Sequence, residues 1–251
     1  MNRVFRFLLR PWTRLTVGEK NASNRDKWVE DVLRSLPAGI KILDAGAGEC
    51  QYRQHCRHLT YVSQDFSKYD GLGNNSGLQT QKWDTSFIDI VSDIVAIPAP
   101  DGDFDAILCT EVLEHLPDPG LAIREFARLL KIDGQLIITA PFVSFTHFAP
   151  YHFATGFNKY YYFHHLTKNG FGDIQITENG NYFEFVAQEL RRISSMSKTY
   201  CGKEIGLFTE LSITFLLFAL DRMSKNDRGS KELSNFGLHV TARKIANTSE
   251  E

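Results

Sequence analysis

The chain has 251 residues, 43% hydrophobic and 23% charged, enough to bury one substantial core with appendages. A formal net charge of -2 does not supply the basic face of a nucleic-acid binder, so no such partner is expected. Cys50, Cys56, Cys109 and Cys201 form neither a Cys-x-x-Cys pair nor a small-domain disulfide framework, which points to reduced thiols in a cytoplasmic compartment.

Residues 1–38 read as a basic arm and a helix. In the arm, Arg3, Arg6, Arg10, Arg14 and Lys20 interleave with Phe5, Phe7, Leu8, Leu9, Trp12 and Leu15. The arginines interrupt the apolar core of a signal peptide and Pro11 breaks a long helix, so neither secretion nor membrane spanning is expected. Two readings stay open: peripheral contact with an anionic membrane at its inner face, or packing over the domain or a partner subunit.

Lys41-Ile42-Leu43-Asp44-Ala45-Gly46-Ala47-Gly48-Glu49-Cys50 is a short apolar run ending in an acid and two alternating glycines. It reads as a buried strand feeding a ligand-facing loop, where glycine admits positive φ and lets a ligand approach the main chain. A nucleotide-like cofactor follows, but not a nicotinamide dinucleotide. The Gly-x-Gly-x-x-Gly turn is not completed, and Glu49 would repel a pyrophosphate. Thr60-Tyr61-Val62-Ser63-Gln64-Asp65 is a second strand ending in an acid. Asp65 falls about 20 residues beyond the glycines, where a carboxylate can accept both ribose hydroxyl protons.

From Phe66 to Gln81 glycine, asparagine and serine favour a surface loop over a helix. Ile88 to Ile94 is a third strand-like run. Phe104-Asp105-Ala106-Ile107-Leu108-Cys109-Thr110-Glu111-Val112-Leu113-Glu114-His115-Leu116 reads as a fourth strand and turn, with Cys109 in the core, and Leu129 to Thr139 as a helix end, turn and fifth strand. Taken singly, each acid has a plainer reading: Asp44 and Asp65 as turn or cap residues, Glu114 and His115 as a solvated helix end.

In their order and spacing, these five segments resemble the class I S-adenosylmethionine (SAM)-dependent methyltransferases, with a methyltransferase type 11-like domain and Asp44 to Gly48 as its motif I. The resemblance implies a doubly wound, Rossmann-like α/β sandwich around a mostly parallel seven-stranded sheet, with SAM as cofactor. It also implies that Asp44, Gly46 and Gly48 floor the cofactor site and Asp65 holds the ribose. Asp93 and Ile94 would meet adenine, and Thr110 and Glu111 would line the methionine end. Two positions depart from the family pattern: Cys50 stands where many members have a third loop glycine, and Lys131-Ile132-Asp133-Gly134 replaces Lys-Pro-Gly-Gly.

After the fifth strand, residues 140–153 and 160–165 are rich in aromatics and histidine. In open α/β sheets ligands lie beyond the carboxyl ends of the strands, which makes this segment an active-site lid and the acceptor site. His147, Tyr151 and His152 are the candidates to take a proton from an acceptor hydroxyl, while Phe142, Phe148 and Phe153 are expected in an aromatic core. The four histidines from 147 to 165 match no zinc signature and have no carboxylate among them, so no metal is expected.

Asn158 to Asn169, stopped by Gly170, reads as a helix, Asp173 to Thr177 as a sixth strand, and Gly237 to Lys244 as the last. Residues 39–180 are thus the SAM-binding core and 236–251 the last strand and tail. Between them, 181–235 is a helical insertion, with helices over Tyr182 to Lys198 and Lys203 to Lys225. Its apolar run from Leu207 to Leu220 is too short to span a bilayer and suits a buried or dimer-forming helix. The expected activity is methyl transfer to a small-molecule, sugar or glycolipid hydroxyl, as in polysaccharide biosynthesis. A quinone or other lipid acceptor is the next choice, and a non-catalytic SAM-binding scaffold the alternative from a different class.

Overall fold

A computed structural model describes residues 15–246. Residues 1–14, which carry most of the basic arm and its expected membrane contact, lie outside the described residues. The chain divides into two compact units, Arg25–Thr177 with the segment from Gly237 onward, and Glu178–Phe236 with the segment up to Asn24.

The larger unit is built on seven strands: β1 (Lys41–Ala45), β2 (Thr60–Asp65), β3 (Ile90–Val91), β4 (Phe104–Thr110), β5 (Leu130–Pro141), β6 (Phe171–Asn179) and β7 (Gly237–Lys244). They lie in the order β3-β2-β1-β4-β5-β7-β6. β1 pairs in parallel with both β2 and β4, as β2 does with β3 and β4 with β5. β7 runs antiparallel to β5, with Ile138 opposite Val240. The chain reverses its winding beside β1, and the crevice this opens between β1 and β4 is where an open α/β sheet binds its ligand.

Alternation along the strands supplies two apolar faces. Ile42, Ala106, Leu108 and Ile137 pack on Val29 and Leu33 of helix α1 (Asn21–Ser35). On the opposite face Leu43, Ala45, Ile107, Cys109 and Ile138 meet Ile123 and Phe126 of α2 (Pro119–Leu129), and Tyr162 and Leu166 of α3 (Lys159–Lys168). Asp118 starts α2 by accepting from the N–H groups of Gly120 and Leu121, with Pro119 pre-set for the first turn. Asn158 caps α3 in the same way, and Gly170 ends it at φ +77°.

The third strand is shorter than the run Ile88 to Ile94 predicts. Asp89 Oδ2 takes the Ser63 N–H at 2.9 Å and the Ser63 hydroxyl at 2.7 Å, so a side chain occupies the donor that a longer ladder would use. The expected loop after β2 contains no helix. Cys50 closes the motif I turn at φ +53° despite its side chain, so the turn keeps the left-handed geometry that glycine usually supplies.

The smaller unit contains α4 (Tyr182–Met196), a π-helical turn (Ser197–Cys201) and α5 (Leu207–Lys225). Val17, Ala187 and Leu217 form its buried cluster. Arg191 ties the segment before α1 to α4 through the carbonyls of Leu15 and Val17, at 2.5 and 2.8 Å, and through Glu19 at 2.6 Å. Of the two expectations for α5, buried or dimer-forming, burial within the chain is not met, since of its residues Leu217 alone is buried and Phe208 is 84% exposed. Among the described residues no helix is long and apolar enough to cross a membrane.

Candidate active site

At the carboxyl ends of β1, β2 and β4 a cavity of about 570 Å³ is lined by Gly46, Asp65, Phe66, Asp93, Ile94 and Leu116, among others. A second, of about 630 Å³, is lined by Arg25, Gly48, Glu49, Thr110 and His147, among others. Gly46, Trp83, Glu111, His115 and Phe148 line both, so the two cavities meet at a shared wall.

The turn after β1 is pinned to the end of β2. Gly46 N–H donates to the Gln64 carbonyl at 2.8 Å, and Gly48 N–H to Asp65 Oδ2 at 3.0 Å. Asp65 Oδ1 accepts from Ser67 N–H at 2.7 Å. Each carboxylate oxygen thus keeps acceptor capacity for a ligand hydroxyl. Gly46 sits at φ +75°, and a Cβ there would come within 2.5 Å of Val112 Cγ2.

Asp44 lies elsewhere than its motif suggests. It is 2% exposed, lines neither cavity, and accepts from the Tyr61 hydroxyl at 2.5 Å. Burial, with the Asp65 charge added, pushes its carboxyl up to about 6, against the opposing Tyr61 hydrogen bond. Asp44 is therefore tied inward to β2 through Tyr61. Asp93 faces the first cavity while its Oδ1 accepts from Val95 N–H at 3.2 Å, and Ile94 is buried beside it. Glu111, at φ +53°, is held by the Thr139 hydroxyl at 2.9 Å and by Arg25 at 3.1 Å.

The proton-transfer candidates cluster, with the His147 and His152 rings 4.8 Å apart, but they face different spaces. Tyr151 lines the first cavity, with its ring edge-on to Phe66 at 5.1 Å. His147 lines the second. His152 lines neither, and its Nε2 meets the Ser144 hydroxyl at 3.2 Å. Phe142 packs against the core as expected, but Phe148 lines both cavities and Phe153 is 54% exposed at the mouth of the first.

Sequence reasoning missed three groups here. Tyr69 and Trp83 reach in from the loop after β2: Tyr69 stacks on Phe148 at 4.7 Å, and Trp83 stands edge-on to Phe148 at 5.3 Å. Their signal was aromatic residues within a glycine-rich loop. That loop is joined to the lid by Leu78 N–H to the Thr146 carbonyl and Phe148 N–H to the Leu78 carbonyl, both at 3.0 Å. Arg25 reaches the second cavity from α1, with no local motif to mark it. Glu114 is no solvated helix end, being fully buried beneath His115 and His147.

This sheet order, with an acid closing β2 beside a glycine turn after β1, defines the class I methyltransferase fold. Residues 43–138 match the family model described as a methyltransferase domain. Among curated relatives, a ubiquinone biosynthesis O-methyltransferase of Xanthomonas axonopodis is 34% identical over 113 residues, 42% of this chain and 45% of its own length. The same-named protein of Marinobacter nauticus is 26% identical over 197 residues, 73% of this chain and 78% of its own. The chain thus spans less than half of the first relative's length. A SAM-dependent methyltransferase structure from Archaeoglobus fulgidus superimposes with a TM-score of 0.53 at 15% identity, over 97% of this chain and all of that one.

Proposed function

We propose that the protein is a SAM-dependent O-methyltransferase acting on a ring-borne hydroxyl of a quinol or phenol. The observation that carries this reading is the shared wall of Gly46, Trp83, Glu111, His115 and Phe148 between two cavities: the first holds the nucleoside candidates Asp65, Asp93 and Ile94, and the second runs from Gly48 and Thr110, assigned to the rest of the cofactor, to His147 on the acceptor side. The relatives' names favour a quinone-type acceptor over the sugar hydroxyl that the sequence first suggested.

The residues present fit the cofactor. The first cavity falls within the range of small-ligand sites, Asp65 keeps acceptor capacity for ribose hydroxyls, and Asp93 and Ile94, assigned to the adenine edge, line the same cavity. Bound SAM supplies a methyl group already activated on a sulfonium. The chain's own part is then orientation, which can contribute roughly 7 to 11 kcal/mol to the barrier reduction. Tyr69, Trp83 and Phe148 present aromatic faces that favour a cation. His147, bordering the second cavity, is positioned to accept an acceptor proton, a role that adds about 100- to 10,000-fold.

Calorimetry of SAM and S-adenosylhomocysteine with the native chain and Asp65→Ala tests the cofactor site; saturable binding weakened by the substitution is expected. Methyl transfer is then assayed with a catechol-type quinol and with a free sugar. Turnover of the quinol supports the acceptor assignment, and turnover of the sugar alone reverses it. Binding without transfer, even to water, leaves a non-catalytic SAM-binding protein.

A further inference from the structure

Helix α5 is apolar on more than the side it buries. Ile213, Leu217 and Leu220, four and three residues apart, form the seam that packs with Val17, Ala187 and Leu190. On the far side, Phe208, Phe215, Leu216 and Met223 recur at seven- and eight-residue spacing and are all exposed, Phe208 by 84% and Phe215 by 62%. The two acids of α5 avoid that side. Glu210 stands three residues before Ile213 and Asp221 four after Leu217, so both fall on the stripe of the seam. A helix apolar all round is ordinarily buried, and exposed aromatic and aliphatic side chains along one face mark an interaction surface.

Charge indicates what covers this face. The smaller unit carries thirteen Lys and Arg against nine Asp and Glu, whereas the larger carries fifteen against twenty-one. The net charge of -2 thus conceals a basic unit and an acidic one, an asymmetry that favours an anionic surface for the basic unit. The excess comes from Arg3, Arg6, Arg10 and Arg14, set among aromatic and aliphatic residues. At Leu15, where the described residues begin, Arg191 of α4 holds the main-chain carbonyl, and α4 packs against α5. The basic segment is therefore tethered to the helix pair that bears the apolar face. Arg222, seven residues beyond Phe215 and 5.2 Å over the Phe218 ring, adds a cation to the same side. Self-association through this face would set two basic units against each other.

We propose that the outer face of α5, with the basic segment before Leu15, docks on an anionic lipid surface. Phenylalanine and leucine side chains enter the boundary between headgroups and acyl chains, and the arginines meet the lipid phosphates. Each contribution needs the other, because a shallow apolar contact is marginal until a second, electrostatic one is added. The helix lies along the interface and does not cross it. This docking requires neither cofactor nor acceptor, so it stands apart from the methyl-transfer reading.

The test is co-sedimentation of the full chain with vesicles of phosphatidylcholine alone and of phosphatidylcholine mixed with phosphatidylglycerol. The mixed vesicles should bind at least about tenfold more tightly than the neutral ones at low salt, and raised salt should release the chain. Phe208→Ser with Phe215→Ser should weaken binding by more than about tenfold, and Arg6→Gln with Arg10→Gln by about tenfold. The arginine variant leaves α5 intact, so it keeps the test valid if the phenylalanine variant fails to fold. A native chain that stays in the supernatant, equal binding to both kinds of vesicle, or a phenylalanine variant of unchanged melting temperature that sediments like the native chain overturns the proposal. A vesicle-free dimer that the phenylalanine variant dissociates assigns the face to a second copy and overturns it as well.

Discussion

The main-chain N–H of Gly48 donates to Oδ2 of Asp65 at 3.0 Å, so the residue assigned to the ribose also ties the motif I turn to the end of β2. Asp65→Ala should therefore act twice, removing the acceptor and loosening the turn. A lost hydrogen bond to a charged group is worth about 1.5 to 3 kcal/mol, or roughly tenfold to a hundredfold in SAM and S-adenosylhomocysteine affinity. Calorimetry reads this directly; unchanged affinity would remove Asp65 from the cofactor site.

Gly46 meets Val112 across the shared wall. At φ +75° an alanine is strained by about 1 to 2 kcal/mol, and its Cβ would lie 2.5 Å from Val112 Cγ2. Gly46→Ala should lower both the melting temperature and SAM affinity. Adding Val112→Ala should return part of the loss and no more, because the backbone strain persists. Full recovery in the double variant would show that only the clash matters.

Asp44 should make stability fall with rising pH. Its carboxyl is raised from the model-compound 3.8 to about 6 in the folded chain, so the folded state holds more protons than the unfolded state between those values. The native chain therefore loses stability as pH rises through that window, by something on the order of 3 kcal/mol. Asp44→Asn keeps an acceptor for the Tyr61 hydroxyl and carries no charge. Denaturant melts from pH 4 to 7 should show it flatter than the native chain across the window, and more stable at pH 7. A variant less stable at pH 7 would mean that the carboxylate itself is needed to hold the turn.

Tyr69, Trp83 and Phe148 should discriminate charge. SAM carries a sulfonium and S-adenosylhomocysteine a neutral thioether, so removing an aromatic face should weaken SAM more than its product. Trp83→Leu and Phe148→Leu are expected to lower the SAM-to-product affinity ratio by a few-fold, in line with about 0.5 to 2 kcal/mol for a cation over a ring. An unchanged ratio in both would place the sulfonium away from these rings.

The sheet was legible because its strands are apolar runs of strand length, bounded by glycine or acid: β1, β2, β4 and β7 fall where Ile42, Tyr61, Ile107 and Val240 placed them. β3 was overread, since nothing in Ile88 to Ile94 signals that Asp89 turns back onto Ser63. At the site, Asp65 was visible from its spacing and Asp93 through the family resemblance, and both line the first cavity. Asp44 was equally visible, but strand position alone does not say which way a carboxylate points, and Tyr61 draws it inward. The histidine cluster was read without its carboxylate because Glu114 precedes the lid by more than a strand, and only the fold brings it beneath His147. Arg25, Tyr69 and Trp83 reach the site by tertiary contact, which leaves no periodicity to read.

The loop bearing Tyr69 and Trp83 and the lid bearing His147 and Phe148 are stitched together at Leu78 and Thr146, so the two cavities lie under one roof. Ordering that roof costs conformational freedom, and the ligand that arrives first bears the cost for both. Cofactor and acceptor should therefore each tighten the other's binding through that roof, and departure of either should loosen the hold on what remains.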